Sequence, residues 1–314
     1  MGKVWAIAVN TFREAVRNRI LYILLIFAIV LLLFSGAVRE LTFSAQDKVI
    51  KSLGLGAISI FGLLIAVFVG IGLVYNELDK KTIYTIVSKP IDRWQFILGK
   101  YFGLLLTIYV NIAIMALFFY FALYWQTYTS EAALDRAYAA LPAGESLSWL
   151  SYLGFLGMAV LKSSAQAVKT FFFMPGAVTA DLPPVVLMTA LELAIITAFA
   201  VLYSSFSTPT LSAILTVFTF VIGRTNEDII RYTWVIERNG LDSTMDVVKY
   251  HGAQCVAHVA PNLKIFFSNT AYQALSDPPV QYDRWMAYGV VYALAYSGMI
   301  LVLAVLVFRR RNFK

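Results

Sequence analysis

Four apolar runs, Ile20–Val38, Leu53–Tyr75, Phe96–Trp125 and Tyr288–Phe308, constrain this chain more than any other feature, because each is long enough to cross the hydrocarbon core of a bilayer. A spanning helix needs about 20 mostly apolar residues, and in lipid only a helix or a closed barrel satisfies every backbone polar group. Two weaker runs form a pair. Val185–Tyr203 opens after Pro183-Pro184, and Leu211–Gly223 is short, with the polar turn Ser204 to Pro209 between them. The pair is expected to be a helical hairpin with its turn on the cytoplasmic side. Composition agrees: 60% of residues are hydrophobic and 14% charged, with a mean hydropathy of +0.74. Soluble domains run nearer about 45–50% and about 25%. The expected fold is therefore an all-α integral membrane protein of six transmembrane helices.

The segment 1–19 before the first run is basic and amphipathic. Trp5, Ala8, Phe12 and Val16 recur at helical spacing, while Lys3, Arg13, Glu14, Arg17 and Asn18 take the other face, so it is expected to lie along the inner leaflet. Trp149–Val160 is apolar over too few residues to span and is followed by Lys162. It is expected to be interfacial or re-entrant. The long loops 126–182 and 224–285 mix polar and apolar residues and are expected to be extracytoplasmic and to contain short helices. The lone cysteine, Cys255, cannot close an internal disulfide, so these loops must hold shape by packing.

Charge sets the orientation. Segments 1–19, 76–100, 204–210 and 309–314 carry 13 Lys and Arg residues and a net charge of +9. Segments 39–52, 126–182 and 224–285, more than twice as long together, carry 12 basic and 13 acidic residues. Lys and Arg concentrate on the cytoplasmic side of membrane proteins, so both termini are expected to be cytoplasmic and the chain to lie in the cell membrane. The net charge of +7 thereby belongs to the membrane face and points to lipid, not nucleic acid.

The stretch between the second and third runs is the most specific motif. It has an acidic entry at Glu77 and Asp79, then Lys80, Lys81 and Thr82, a short apolar helix bearing Ile83, Ile86 and Val87, the turn Ser88-Lys89-Pro90-Ile91-Asp92-Arg93-Trp94, and Leu98-Gly99-Lys100 at the foot of the next span. This pattern resembles the integral membrane subunits of type-2 ABC transporters. The amphipathic start, the Ser204–Pro209 turn, Pro261-Asn262-Leu263 and the ending Phe308-Arg309-Arg310-Arg311-Asn312-Phe313 match as well. Within that family the chain looks most like the branch named for multicopper enzyme maturation. One departure is Lys81, where the family often has glycine.

The resemblance implies a permease, exporting its cargo, that pairs as a homodimer or heterodimer and is driven by separate ABC ATPase subunits holding ATP and Mg. It implies that the hairpin and the amphipathic helix meet the ATPase, making Glu77, Asp79, Lys80, Lys81 and Thr82 the coupling residues, with Arg13 and Arg17 secondary. The chain itself has no G-x-x-x-x-G-K-[ST] phosphate loop, so no cofactor is expected in it.

Two further groups stand out. Glu192 lies inside the run Val185–Tyr203, where a carboxylate must face protein or water, and Asn111 with Thr107 on the third span is an expected partner. His251, Cys255 and His258 share spacings of four and three, which would place N and S ligands on one helix face. Three ligands without a fourth are not a complete site, so no metal is assigned. Two other classes compete with transport: a membrane-embedded enzyme using Glu192 or the His/Cys group, and a scaffold or assembly factor for an extracytoplasmic metalloprotein docking on 224–285.

Overall fold

The computed structural model describes residues 2–39, 46–72, 92–129, 182–239, 244–267 and 282–310, with isolated positions between 162 and 171. Among these there is no strand. Nine helices follow in order: α1 Gly2–Val16, α2 Arg19–Arg39, α3 Gln46–Ile65, α4 Arg93–Thr129, α5 Leu182–Phe206, α6 Pro209–Asn239, α7 Thr244–Val259, α8 Lys264–Phe267 and α9 Tyr282–Arg310. A π-turn, Ala66–Gly70, continues α3. The expected stretches Trp149–Val160 and Glu77–Thr82 lie outside the described residues.

Local chemistry explains where the helices begin. Asn18 Oδ1 accepts the Ile20 N–H at 3.0 Å, an N-cap that starts α2 two residues after α1 ends. The break bends the chain by 66° between α1 and α2. Asp92 and Gln95 close a capping pair over the first turn of α4: Gln95 Nε2 donates to Asp92 Oδ2 at 3.1 Å, and Gln95 Oε1 accepts the Asp92 N–H at 3.4 Å. Pro209 occupies the first position of α6, where its missing N–H costs nothing.

By length and apolarity four helices can each cross a bilayer: Ile50–Gly70, Arg93–Trp125, Leu182–Phe206 and Arg284–Arg309. Counting the bent pair α1 and α2 as one span gives five. The short run at 211–223 differs most from expectation. It is the first half of a 31-residue helix that continues through Arg224 to Asn239. Nothing in the residues after Gly223 breaks a helix, so the backbone ladder runs on after the apolar pattern stops. The expected turn Ser204–Pro209 likewise shrinks to Ser207 and Thr208, because Ser204 and Ser205 donate to the Val201 and Leu202 carbonyls of α5 and stay in the helix.

The helix α5 sits centrally. Leu193, Ile195, Ile196 and Ala198 are all fully enclosed, by α3, α4, α6 and α9. The outer helices instead expose apolar rows, Ile23, Ile26, Phe27 and Val30 on α2 and Val291, Leu294, Val302 and Leu306 on α9. Unbroken apolar rows of this extent belong against lipid tails.

The helix α1 does not simply float on a surface. Its buried side chains are Ala8, Thr11 and Ala15, and they seat on the first turns of α4. There Gly99 and Gly103 form a Gly-x-x-x-Gly stripe that lets the two backbones meet. A Cβ at Gly103 would lie 2.6 Å from the Ala8 carbonyl oxygen, and one at Gly99 would lie 2.6 Å from Ile7 Cβ. Small residues allow this close approach where hydrophobic burial gives little drive. Trp5, on the apolar face expected to meet the inner leaflet, is exposed.

Gly103→Val should therefore push α1 off α4 and cost about 1–3 kcal/mol of overpacking strain. Thermal unfolding in detergent should show a lowered midpoint, and limited trypsin digestion should cut faster at Arg13 and Arg17.

Candidate functional site

The only fully buried carboxylate among the described residues is Glu192, ten residues or about 15 Å along α5 from Leu182 and about 21 Å from Phe206. Its partner is Arg224 of α6. Arg224 Nε donates to Glu192 Oε1 at 2.7 Å, and Nη2 donates to Oε2 at 2.9 Å. Ser59 of α3 completes the group: its hydroxyl accepts from Arg224 Nη2 at 2.6 Å and lies 3.3 Å from Glu192 Oε2, to which it donates. The Arg224 guanidinium also lies 4.5 Å from the centroid of the Phe220 ring one turn earlier on α6.

This is a bidentate charge-assisted pair with a hydroxyl bridging both ions. It joins three helices in the interior and is neutral as a unit. Such a pair can hold a conformation, and can release it by exchanging partners with water or a polar ligand.

Asn111 and Thr107 are not part of it. Asn111 Nδ2 donates to the Thr107 carbonyl at 2.8 Å, and Thr107 Oγ1 donates to the Gly103 carbonyl at 2.9 Å, so both serve their own helix. The expectation of an Asn111 partner for Glu192 is corrected: the bonds from Glu192 run to α3 and α6. Arg224 opens the segment 224–285, expected as an extracytoplasmic loop, and hydropathy alone gives it no place beside Glu192. The signal that could have found it was simple, since a carboxylate inside a span calls for a cation and Arg224 follows directly on an apolar run.

Of the expected coupling residues, Arg13 and Arg17 are described, and both are exposed on α1. Glu14 between them turns toward α4, where its carboxylate lies 3.7 Å from the buried Lys100 Nζ.

His251, Cys255 and His258 all lie exposed on α7. His258 Nδ1 is 2.8 Å from the Gln254 carbonyl of its own helix, and the His251 ring packs edge-on against Tyr250. Among the described residues no three His, Cys, Asp or Glu side chains gather closely enough to hold a metal ion.

Pro261-Asn262-Leu263 has a definite place. The Leu263 N–H donates to the Gly223 carbonyl at 2.9 Å, and the Leu263 side chain fills the space a Cβ at Gly223 would need. Asn226 Nδ2 donates to the Ala257 and Ala260 carbonyls, closing the end of α7 onto α6. Outside this clamp, Lys264 Nζ reaches Asp228 at 2.9 Å and Glu227 at 3.5 Å. The Lys264 hydrogen bond holds the Asp228 carboxyl below the usual carboxylate range, and the same bond raises the Lys264 ammonium above its ordinary value.

A bundle of long apolar helices tied by interior charges defines a multi-pass membrane protein with a polar point inside it. Residues 5–314 match the family described as ABC-2 family transporter protein, and the chain belongs to that family. It is thus a permease subunit of an ABC transporter, whose partner is an ABC ATPase subunit. No curated protein matches the chain.

Removing one member of the interior pair should be costly. Glu192→Gln or Arg224→Leu should each destabilise the fold by about 3–5 kcal/mol, while Glu192→Leu with Arg224→Met should cost distinctly less than the two singles together. Denaturation of the purified variants checks this.

The Lys264 cluster predicts a pH dependence with two limits. Because the Asp228 value is lowered, its stabilisation is complete above the unfolded carboxylate value and is lost as pH falls through the lower folded one. Because the Lys264 value is raised, its share is lost only as pH rises through the raised ammonium value. The protection of α8 amides, as exchange rate relative to the unfolded chain at the same pH, should accordingly hold across neutral pH and fall in strong acid, with Asp228→Asn removing the acid step.

Proposed function

We propose that this permease is an exporter subunit of the cell membrane with six spans and both termini in the cytoplasm, working as a homodimer or heterodimer. The sixth span is the apolar first half of α6, paired with α5 across the two-residue turn at Ser207 and Thr208. The segment 76–100 is the lever that meets the ATPase, with Glu77, Asp79, Lys80, Lys81 and Thr82 as its contact residues and Arg13 and Arg17 beside them. ATP and Mg are held by the ATPase. The cargo falls within the range of the branch named for multicopper enzyme maturation.

The family match over residues 5–314 carries this reading. It is supported by the exposure of Arg13 on α1 and of Arg17 just after it. The Glu192–Arg224–Ser59 group serves as the interior lock whose opening accompanies transport. Interior charges in membrane helices are expensive, so one that joins three helices suits a gate better than a passive fastening.

Co-purification tests the coupling assignment. The wild-type permease should bring down an ATPase and raise its ATP hydrolysis, and charge reversal at Glu77 and Asp79 with Lys80→Glu and Lys81→Glu should abolish both. Full assembly and stimulation in that variant would move the contact elsewhere on the protein.

A further inference from the structure

The first two turns of α4 tie together helices that otherwise belong to separate pairs. The helix α1 packs chiefly on α4, and α9 packs chiefly on α5, whereas α4 and α9 touch only sparingly along their length. Their junction lies at one end. Arg93 Nη1 donates to the Arg309 carbonyl at 2.8 Å and lies 3.5 Å from the Phe308 carbonyl. These are among the last carbonyls of α9, which have no partner within the helix and form the negative end of its dipole.

Below this contact Phe96 stacks on Phe308 with centroids 5.9 Å apart, and Lys100 Nζ lies 6.0 Å from the Phe96 ring. Lys100 in turn pairs with Glu14 of α1. A continuous line therefore runs from α1 through Lys100 and Phe96 to the end of α9.

Toward its middle, three to four turns before Phe308, α9 grips the end of α7 and the segment after it. The Tyr292 hydroxyl accepts the Asn262 N–H at 2.8 Å, and the Tyr296 hydroxyl donates to the Val259 carbonyl at 3.1 Å. Tyr292 and Tyr296 stack with centroids 5.5 Å apart, so the two grips move together. Val259 lies one turn from Cys255.

We infer that Arg93 is a positioning residue that carries displacement of the segment before Asp92 into α9, and through Tyr292 and Tyr296 into the end of α7. This rests on the reading that residues 76–92 meet the ATPase. A cation suits the task because a single nitrogen, Nη1, faces both carbonyls at the negative end of the α9 dipole. The direction of transmission follows from covalent order, since Arg93 is the first residue of α4 and takes up any movement delivered through Asp92.

The lone cysteine supplies the probe. In the purified permease–ATPase complex in nanodiscs, the maleimide labelling rate of Cys255 is measured without nucleotide and after trapping with ATP and vanadate. The wild type should show a nucleotide-dependent change in rate. Arg93→Ala should shrink that change by about two- to fivefold, the factor that a cation at a helix C-terminus is worth. Arg93→Lys should restore most of it. A merely structural role would instead alter labelling equally in both nucleotide states and leave their ratio unmoved.

Tyr296→Phe removes only the hydroxyl at Val259 and should reduce the same ratio without touching α4. Should Arg93→Ala fail to assemble, Arg93→Gln keeps a donor and loses the charge, and the same reduction is expected. An undiminished ratio in the Arg93 variants overturns the inference. A wild-type complex in which Cys255 ignores nucleotide overturns it too. A permease that binds no ATPase would instead sink the functional reading on which it rests.

Discussion

The architecture depends on the placement of one charge. Glu192 is wholly enclosed on the central helix α5, and a carboxylate there is tolerable only because Arg224 and Ser59 surround it. That requirement reaches outward. Arg224 must approach from α6, so α6 has to remain helical past the end of its apolar pattern, and Ser59 draws α3 to the same point. Where α6 continues, α7 folds back along it and Leu263 is drawn against Gly223. Satisfying a single buried carboxylate thus organises four helices.

The ends of the bundle are held by different forces. At the foot of α4 the ties are steric and ionic, with glycines admitting α1, Lys100 meeting Glu14, and Arg93 holding the end of α9. Near the opposite end of α9 Trp285 Nε1 donates to the Ile265 carbonyl at 3.1 Å, and the hydrogen bonds of Tyr292 and Tyr296 follow toward the helix middle. Tyrosine and tryptophan suit a boundary where one side of the ring is apolar and the other wet. A helix fastened at both ends to different partners is mechanically unlike one that only packs along its sides. It can convey a shift without bending its middle.

Much of this was legible before any coordinates. Apolar runs located the helices, Pro183-Pro184 marked where one of them starts, and Glu192 announced itself as an anomaly. The motif around 77–100 pointed to the family to which the chain belongs. What could not be read was pairing. Glu192 and Arg224 are 32 positions apart, Ser59 and Glu192 are 133 apart, and Arg93 meets a carbonyl 215 positions away. Periodicity reports only which face of a helix is apolar. It passes over Thr11, because it weighs side-chain hydrophobicity where the contact with α4 demands small size. It also ended a helix at Gly223 because hydropathy ended there, although helical hydrogen bonding takes no account of hydropathy.

The seating of α1 on Gly99 and Gly103 has a consequence for how the protein is made. The docking groove lies more than 80 residues downstream of Ala8 and Thr11. While the chain is being synthesised, α1 emerges long before its groove exists and must reside on the membrane surface in the meantime. An amphipathic face with an exposed Trp5 meets that first condition, and a stripe of Ala8, Thr11 and Ala15 meets the second. The same fifteen residues are therefore selected for two successive environments, lipid headgroups during biogenesis and a glycine groove afterwards. Such double selection narrows what can be substituted there far more than either environment would alone.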